Sequence, residues 1–255
     1  MSNSTKEPTA NGALAKAEPT NPTVIVGDQI QRFMTKGTLH LPSDYSPENA
    51  LKSAWLALQQ IDGALTCTKE SIINSLLDMC IQGLNPAKKQ CYFIPYGKTL
   101  SCQRSYFGEM ALAERVCPGI SIFSDVIYKG ETFATAKVRN KHGFVTVVTK
   151  HEQPFPRESS EIIGAYCGAT EVDPVTGEIA DLGIELMDMA QIQNSWKKSK
   201  TISPKSFHNE QPDQACQRTV IRRWAKFRIN ASTDALLLTS VRRQDEDVAI
   251  AESNN

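Results

Sequence analysis

Two tyrosines, two glutamines and a group of cations crowd residues 88–104, and together they have the chemistry to stack rings and hold anions. In QCYFIPYGKTLSCQR, Gly97-Lys98 reads as a two-residue turn with glycine first, which sets Tyr96 opposite Thr99, Ile94 opposite Ser101 and Tyr92 opposite Gln103. One face of this hairpin carries Pro95, Leu100, Phe93, Cys102 and Cys91, with Arg104 at its end. The other shows Gln90, Tyr92, Tyr96, Thr99, Ser101 and Gln103, and the alternation supports the register. Tyrosines beside amides, with Lys88, Lys89, Lys98 and Arg104 nearby, suit bases and phosphates of a single nucleic-acid strand. An ordinary solvated hairpin face is the competing reading. Pro95 cannot donate to a ladder, so its strand is expected at an edge. GKT at Gly97 to Thr99 is the tail of a phosphate-binding loop, but the glycine which that motif needs five positions earlier is Tyr92, so a P-loop is excluded.

A second set lies in WKKSKTISPKSFHNEQPDQACQRTVIRRWAKFRI, residues 196–229. Lys197, Lys198, Lys200 and Lys205 fall in an expected loop, and a helix is expected from Pro212. On that helix Cys216, Val220 and Trp224 form an apolar stripe, while Arg218, Arg222 and Lys226 recur every four residues, about 6 Å apart, with Arg223 beside them. Such a row suits backbone phosphates; a solvated charged face is the alternative. In a preceding helix, expected over 184–198, Gln191, Asn194 and Lys198 share a face that would continue the same groove. Trp196, Phe207 and Phe227 are aromatic candidates, and Trp224, at helical spacing, reads as core.

The acidic stretch EVDPVTGEIADLGIELMD raises a metal-dependent nuclease as an alternative, through Asp173, Glu178, Asp181 or Glu185, because paired carboxylates can hold magnesium. Its spacing matches no calcium loop, no His-Glu motif accompanies it, and DPVTGE reads as a turn. His40, His142, His151 and His208 are scattered and read as surface or capping groups. Seven cysteines form neither a CxxC pair nor a zinc cluster. They read as buried thiols of a reducing cytoplasm; no cofactor or metal is expected.

The formal net charge is zero, yet the charges come in blocks: ten Lys/Arg against four Asp/Glu over 86–150, one against nine over 151–190, nine against two over 191–230. Local fields therefore survive the cancellation. The beginning of the sequence lacks the basic start and apolar run of a signal peptide, and no stretch approaches 18 apolar residues, so a cytoplasmic protein is expected.

Several elements must position these groups. Residues 1–23 hold almost no large apolar side chains and are expected as a disordered arm; 24–240 are expected as a single domain, and 241–255 as a frayed tail. Ser46-Pro47-Glu48 starts a helix with Leu51, Ala54, Trp55, Leu58 and Ile61 at helical spacing. A second begins after Thr68 and stops near Gly83. The period then falls to two: 120–128, 131–139, 144–150 and 161–169 read as strands, joined by short turns at Lys129-Gly130 and near His142-Gly143. The expectation is α+β, an antiparallel sheet with hairpins packed against several helices.

GLNPAKKQCYFIPYG, LSCQRSYFG, ELMDMAQIQNSWKKSK and QACQRTVIRRWAKF, in that order across residues 45–230, resemble the RecT family of phage single-strand annealing proteins. The resemblance implies binding of single-stranded DNA, annealing of complementary strands without ATP, a Redβ-type annealing fold, and homo-oligomers in rings or helical filaments. It also implies a phage exonuclease partner, with a host single-strand-binding protein as another, and no enzymatic activity. On this reading the 90–104 hairpin, Gln191 to Lys198 and the helix from Arg218 to Lys226 wall a positively charged groove. That groove holds one strand by its phosphates and leaves the bases exposed for pairing. A structural phage protein with incidental basic patches is the remaining alternative.

Overall fold

The computed structural model describes residues 21–197 and 207–253. Helix α1 (Pro22–Thr35) begins inside the segment expected to be unstructured: Asn21 accepts the Thr23 amide at 3.0 Å, and Pro22 takes the first helical position, where a missing N–H costs nothing. α2 (Pro47–Leu58) and α3 (Lys69–Ile81) start at Ser46 and Thr68 as expected, each hydroxyl accepting an amide three residues on. Val26, Ile30, Leu51, Ala54, Leu58, Leu76 and Met79 bury between these helices and form one core.

The hairpin follows. β1 (Cys91–Tyr96) and β2 (Thr99–Arg104) pair in the expected register, with Tyr92 opposite Gln103 and Tyr96 opposite Thr99. Gly97 adopts φ 59°, which makes glycine first in the turn a steric requirement. Cys91, Phe93, Leu100 and Cys102 close the first core. Ser101 departs from expectation: it keeps its place opposite Ile94 but is buried and not open to solvent. α4 (Tyr106–Val116) then turns back along the hairpin so tightly that a Cβ on Gly108 would stand 2.1 Å from the Gln90 carbonyl oxygen.

A second core lies under a three-stranded sheet. β3 (Ile120–Tyr128), β6 (Ile162–Val172) and β7 (Ile179–Asp188) pair antiparallel in the order β3-β6-β7, while β4 (Thr132–Asn140) and β5 (Gly143–Glu152) form a separate hairpin inserted between β3 and β6. The turn at Lys129-Gly130 therefore redirects the chain without pairing the strands it joins. α5 (Met189–Trp196), the one-turn α6 (Phe207–Glu210), α7 (Pro212–Asn230) and α8 (Ala235–Ser253) complete the chain. Ala165, Cys167 and Ala169 of β6 meet Val220, Trp224 and Leu237 in this core.

Two expectations are corrected. The helix expected from 184 begins only at Met189, because residues 184–188 keep the two-residue alternation of β7 and Asp188 provides the N-cap. Residues past Val241, expected as a tail, lie in α8, which runs to Ser253, with Gln244 buried and Arg243 on Asp78. The observed class is α+β with antiparallel hairpins packed on helices. Among the described residues no helix is long and apolar enough to cross a membrane.

Candidate nucleic-acid interface

On the open face of the β1–β2 hairpin, Tyr92 is 45% exposed, and Lys88, Lys89 and Lys98 are exposed around it. The neighbouring amides are partly committed. Gln90 accepts the Asn85 amide at 3.0 Å and so fixes the loop that enters β1; Gln103 donates to the Tyr96 hydroxyl at 2.8 Å. Tyr92 is left as the ring that stands out from this face.

Arg104, expected as a DNA contact, is turned inward. Its partner across the ladder is Cys91, on the core side, and the residue is only 7% exposed. Its guanidinium donates to Glu109 at 3.1 Å, Gln82 at 2.8 Å and Asp245 at 2.8 Å, and also to Gln244. Burial opposes the charge, but Glu109 and Asp245 outweigh it and raise the pKa. Arg104 is a structural hub joining β2, α3, α4 and α8.

α7 buries Cys216, Val220 and Trp224 and presents its cations on the other side, as its period demands. Each cation has a different setting. Arg218 lies with its guanidinium carbon 3.8 Å from the Phe207 ring centroid and 5.0 Å from that of Tyr106, and its Nε is buried with no partner among the described residues. Arg222 is exposed and forms no ion pair among the described residues. Arg223 bonds Glu185 at 2.7 Å, and Lys226 bonds Asp245 at 2.9 Å, so both charges are partly neutralised.

The hairpin and α7 share one surface. Burial raises the Tyr92 phenol above its usual pKa, and the nearby Arg222 and Arg218 charges pull it back. Tyr106 stacks on Phe107 at 4.0 Å, and Phe107 is 43% exposed. Phe207, Arg218, Tyr106 and Phe107 thus make a ledge of three rings with one guanidinium held among them, and Tyr92 and Arg222 stand beside it. Behind it the Trp196 indole donates to Thr219 at 2.8 Å and its ring lies 4.7 Å from His208, whose pKa is lowered by burial and by Arg218.

Other expected contacts are less free. Gln191 is engaged in a reciprocal cap with Asp188, accepting its amide at 3.1 Å and donating its own amide at 2.7 Å. Asn194 accepts from Lys197 at 3.3 Å. Lys198, Lys200 and Lys205 lie outside the described residues. Trp224 is core, as read, with its indole donating to the Gly183 carbonyl at 3.1 Å; Phe227 is 73% exposed. Tyr106 and Phe107 were missed by the sequence reading, although RSYFG holds them side by side, and His208 was read only as a surface or capping group.

The acidic stretch is spent on turns and pairs. Asp173 accepts the amides of Val175 and Thr176, and Glu185 bonds Arg223. Among the described residues no three His, Cys, Asp or Glu side chains gather as a metal would require. His151, read as a surface or capping group, is instead enclosed: its side chain is 9% exposed and bonds Tyr166 at 2.9 Å and Glu131 at 3.1 Å.

A comparison with curated protein sequences found no significant match. The family model described as RecT family matches residues 48–255, which takes in the hairpin, the ledge and α7. With four-fifths of its length matched, the chain belongs to the RecT family, the single-strand annealing proteins of DNA recombination, which bind single-stranded DNA and oligomerise.

Proposed function

We propose that this protein anneals complementary DNA strands without nucleotide hydrolysis, holding one strand across the hairpin and α7 with its bases open to an incoming partner. The observation that carries this reading is the ledge of Phe207, Arg218, Tyr106 and Phe107 beside Tyr92 and Arg222. Rings stack on any base and exposed cations hold any phosphate, so the surface suits sequence-tolerant binding while the incoming strand reads sequence. Arg218, sandwiched between rings, serves as a platform more than as a free phosphate ligand; Arg222, Lys88, Lys89 and Lys98 take the phosphates. Pairing is downhill and needs no ATP site.

Rings or helical filaments of the protein would align many short surfaces into one long track. The acidic 151–190 block suits contact with a neighbour's basic surface. A phage exonuclease would supply the single strand, a host single-strand-binding protein would compete for it, and the setting is the cytoplasm. The test is a gel of labelled complementary oligonucleotides with and without magnesium and ATP. Annealing with unchanged strand lengths, indifferent to ATP, is expected; magnesium-dependent shortening would replace this reading with a nuclease.

A further inference from the structure

The β4–β5 hairpin changes which side it turns inward. Near its base Phe133 and His151 pack on Tyr166, with ring centroids 5.4 Å and 5.5 Å away. A register shift follows between Ala134 and Thr135. Beyond it, Ala136, Val138, Val145 and Val147 turn inward, while Thr135, Lys137, Arg139 and Phe144 are exposed. Arg139 pairs with Phe144 across the ladder, its guanidinium carbon 5.8 Å from the ring centroid, and Lys137 pairs with Thr146.

This outer face has three properties that the rest of the hairpin lacks. Phe144 is 78% exposed, a ring that no described residue covers. Lys137 and Arg139 form no ion pair among the described residues, whereas Lys141 at the tip bonds Glu171 at 2.9 Å and Lys150 bonds Glu152 at 3.1 Å. No carboxylate shares the outer face between the register shift and the tip. Two side chains on alternate strand positions stand about 6.7 Å apart, so the face offers two unneutralised cations and one ring on a rigid support. The support is firm: Asn140 donates to the Asp181 carbonyl of β7 at 2.7 Å, and the Val145 Cβ would lie 3.1 Å from a Cβ on Gly183.

We infer that the outer face of the β4–β5 hairpin is a second nucleic-acid contact, taking phosphates of a second strand on Lys137 and Arg139 and a base against Phe144. This rests on the annealing reading above. Ring beside guanidinium repeats the chemistry of Phe207 and Arg218. The face belongs to a different element: β7 packs between β5 and α7, and Trp224 of α7 reaches only to the Gly183 carbonyl. An annealing protein whose first strand lies along α7 needs a place where the incoming strand is retained during search, and a cationic face without acids suits a polyanion.

The experiment saturates the full-length protein with one labelled strand and adds a second, non-complementary strand carrying an acceptor dye; energy transfer reports co-capture. Lys137→Ala/Arg139→Ala and, separately, Phe144→Ala are expected to keep first-strand affinity within about twofold and to lower second-strand capture roughly tenfold. Annealing of complementary strands should slow in parallel. Parental capture in both variants overturns the inference. So does an equal loss of first-strand affinity, or a change in particle size by light scattering that accounts for the loss, which would make this face a contact between copies. A parent protein that captures two strands and never anneals them leaves the second site standing and refutes the annealing reading alone.

Discussion

Arg243 of α8 donates through Nε to Oδ2 of Asp78 in α3 at 3.0 Å, across 165 positions of sequence. Ser240 donates to the other carboxylate oxygen at 2.8 Å. Burial pushes the Asp78 pKa up, and the bonds from Arg243 and Ser240 draw it back. Arg243→Ala should therefore destabilise the fold by about 1–3 kcal/mol, a figure reduced because the Arg243 side chain is 40% exposed. A raised folded pKa means that stability falls as pH climbs from the unfolded carboxylate value, about 3.9, through the folded one. The loss should thus be larger at pH 7 than at pH 4.5 in urea melts. Equal losses at both would show that ionised Asp78 is not its source.

Arg222→Ala should weaken binding of all single strands about equally and make the dependence of log affinity on log salt shallower by about 0.7, the release expected for one phosphate contact on a single strand. Arg223→Ala and Lys226→Ala should do less, since Glu185 and Asp245 already partly neutralise those charges. Anisotropy titrations at several salt concentrations rank the three. Arg223 ranking first would move the phosphate track to the other side of α7.

The two tyrosines of the hairpin should separate. Tyr92→Ala removes an exposed ring and should cost about 1–3 kcal/mol of single-strand affinity. Tyr96→Phe removes only the hydroxyl that Gln103 bonds, and should leave affinity nearly unchanged. If both variants bind like the parent, this face is solvated surface and nothing more.

At the other end of the molecule, the bond from Lys141, helped by His142, holds the Glu171 carboxyl below its ordinary value. The stability it adds is present above the unfolded carboxylate value, about 4.3, and is lost as pH falls through the lower folded value. Lys141→Ala should raise the Glu171 pKa in a carbon-detected NMR titration. An unmoved titration would mean that the tip of β4–β5 is not latched to β6 in solution.

Local chemistry was legible where a short stretch decides its own shape. Ser46-Pro47, Thr68 and Gly97 each carry their cap or turn in two or three residues, and the hairpin register followed from the Gly97-Lys98 turn with the alternation in support. Non-local competition was not legible. Arg104 looks like any basic residue until Glu109, Gln82 and Asp245 converge on it, and Asp245 lies 141 positions away. The end of β7 was mistaken for helix because ELMDMAQ is rich in helix formers, and the paired strand β6 overrides that propensity. Arg218 was assigned to phosphates because spacing shows charge and not the rings that flank it. The start of α1 at Pro22 was missed because residues 1–23 hold almost no large apolar side chains, and α8 past Val241 because Arg243, Gln244 and Asp245 fasten it through polar groups.

The near-contact of Gly108 with the Gln90 carbonyl bears on how the protein meets a strand. With no room for even a methyl group at that crossing, the start of β1 and the first turn of α4 form a welded joint. Tyr92 stands two residues beyond one side of the joint and Phe107 one residue before the other. The gap between the two rings is therefore a gauge set when the chain folds, before any strand arrives, and little backbone freedom remains to be surrendered on binding.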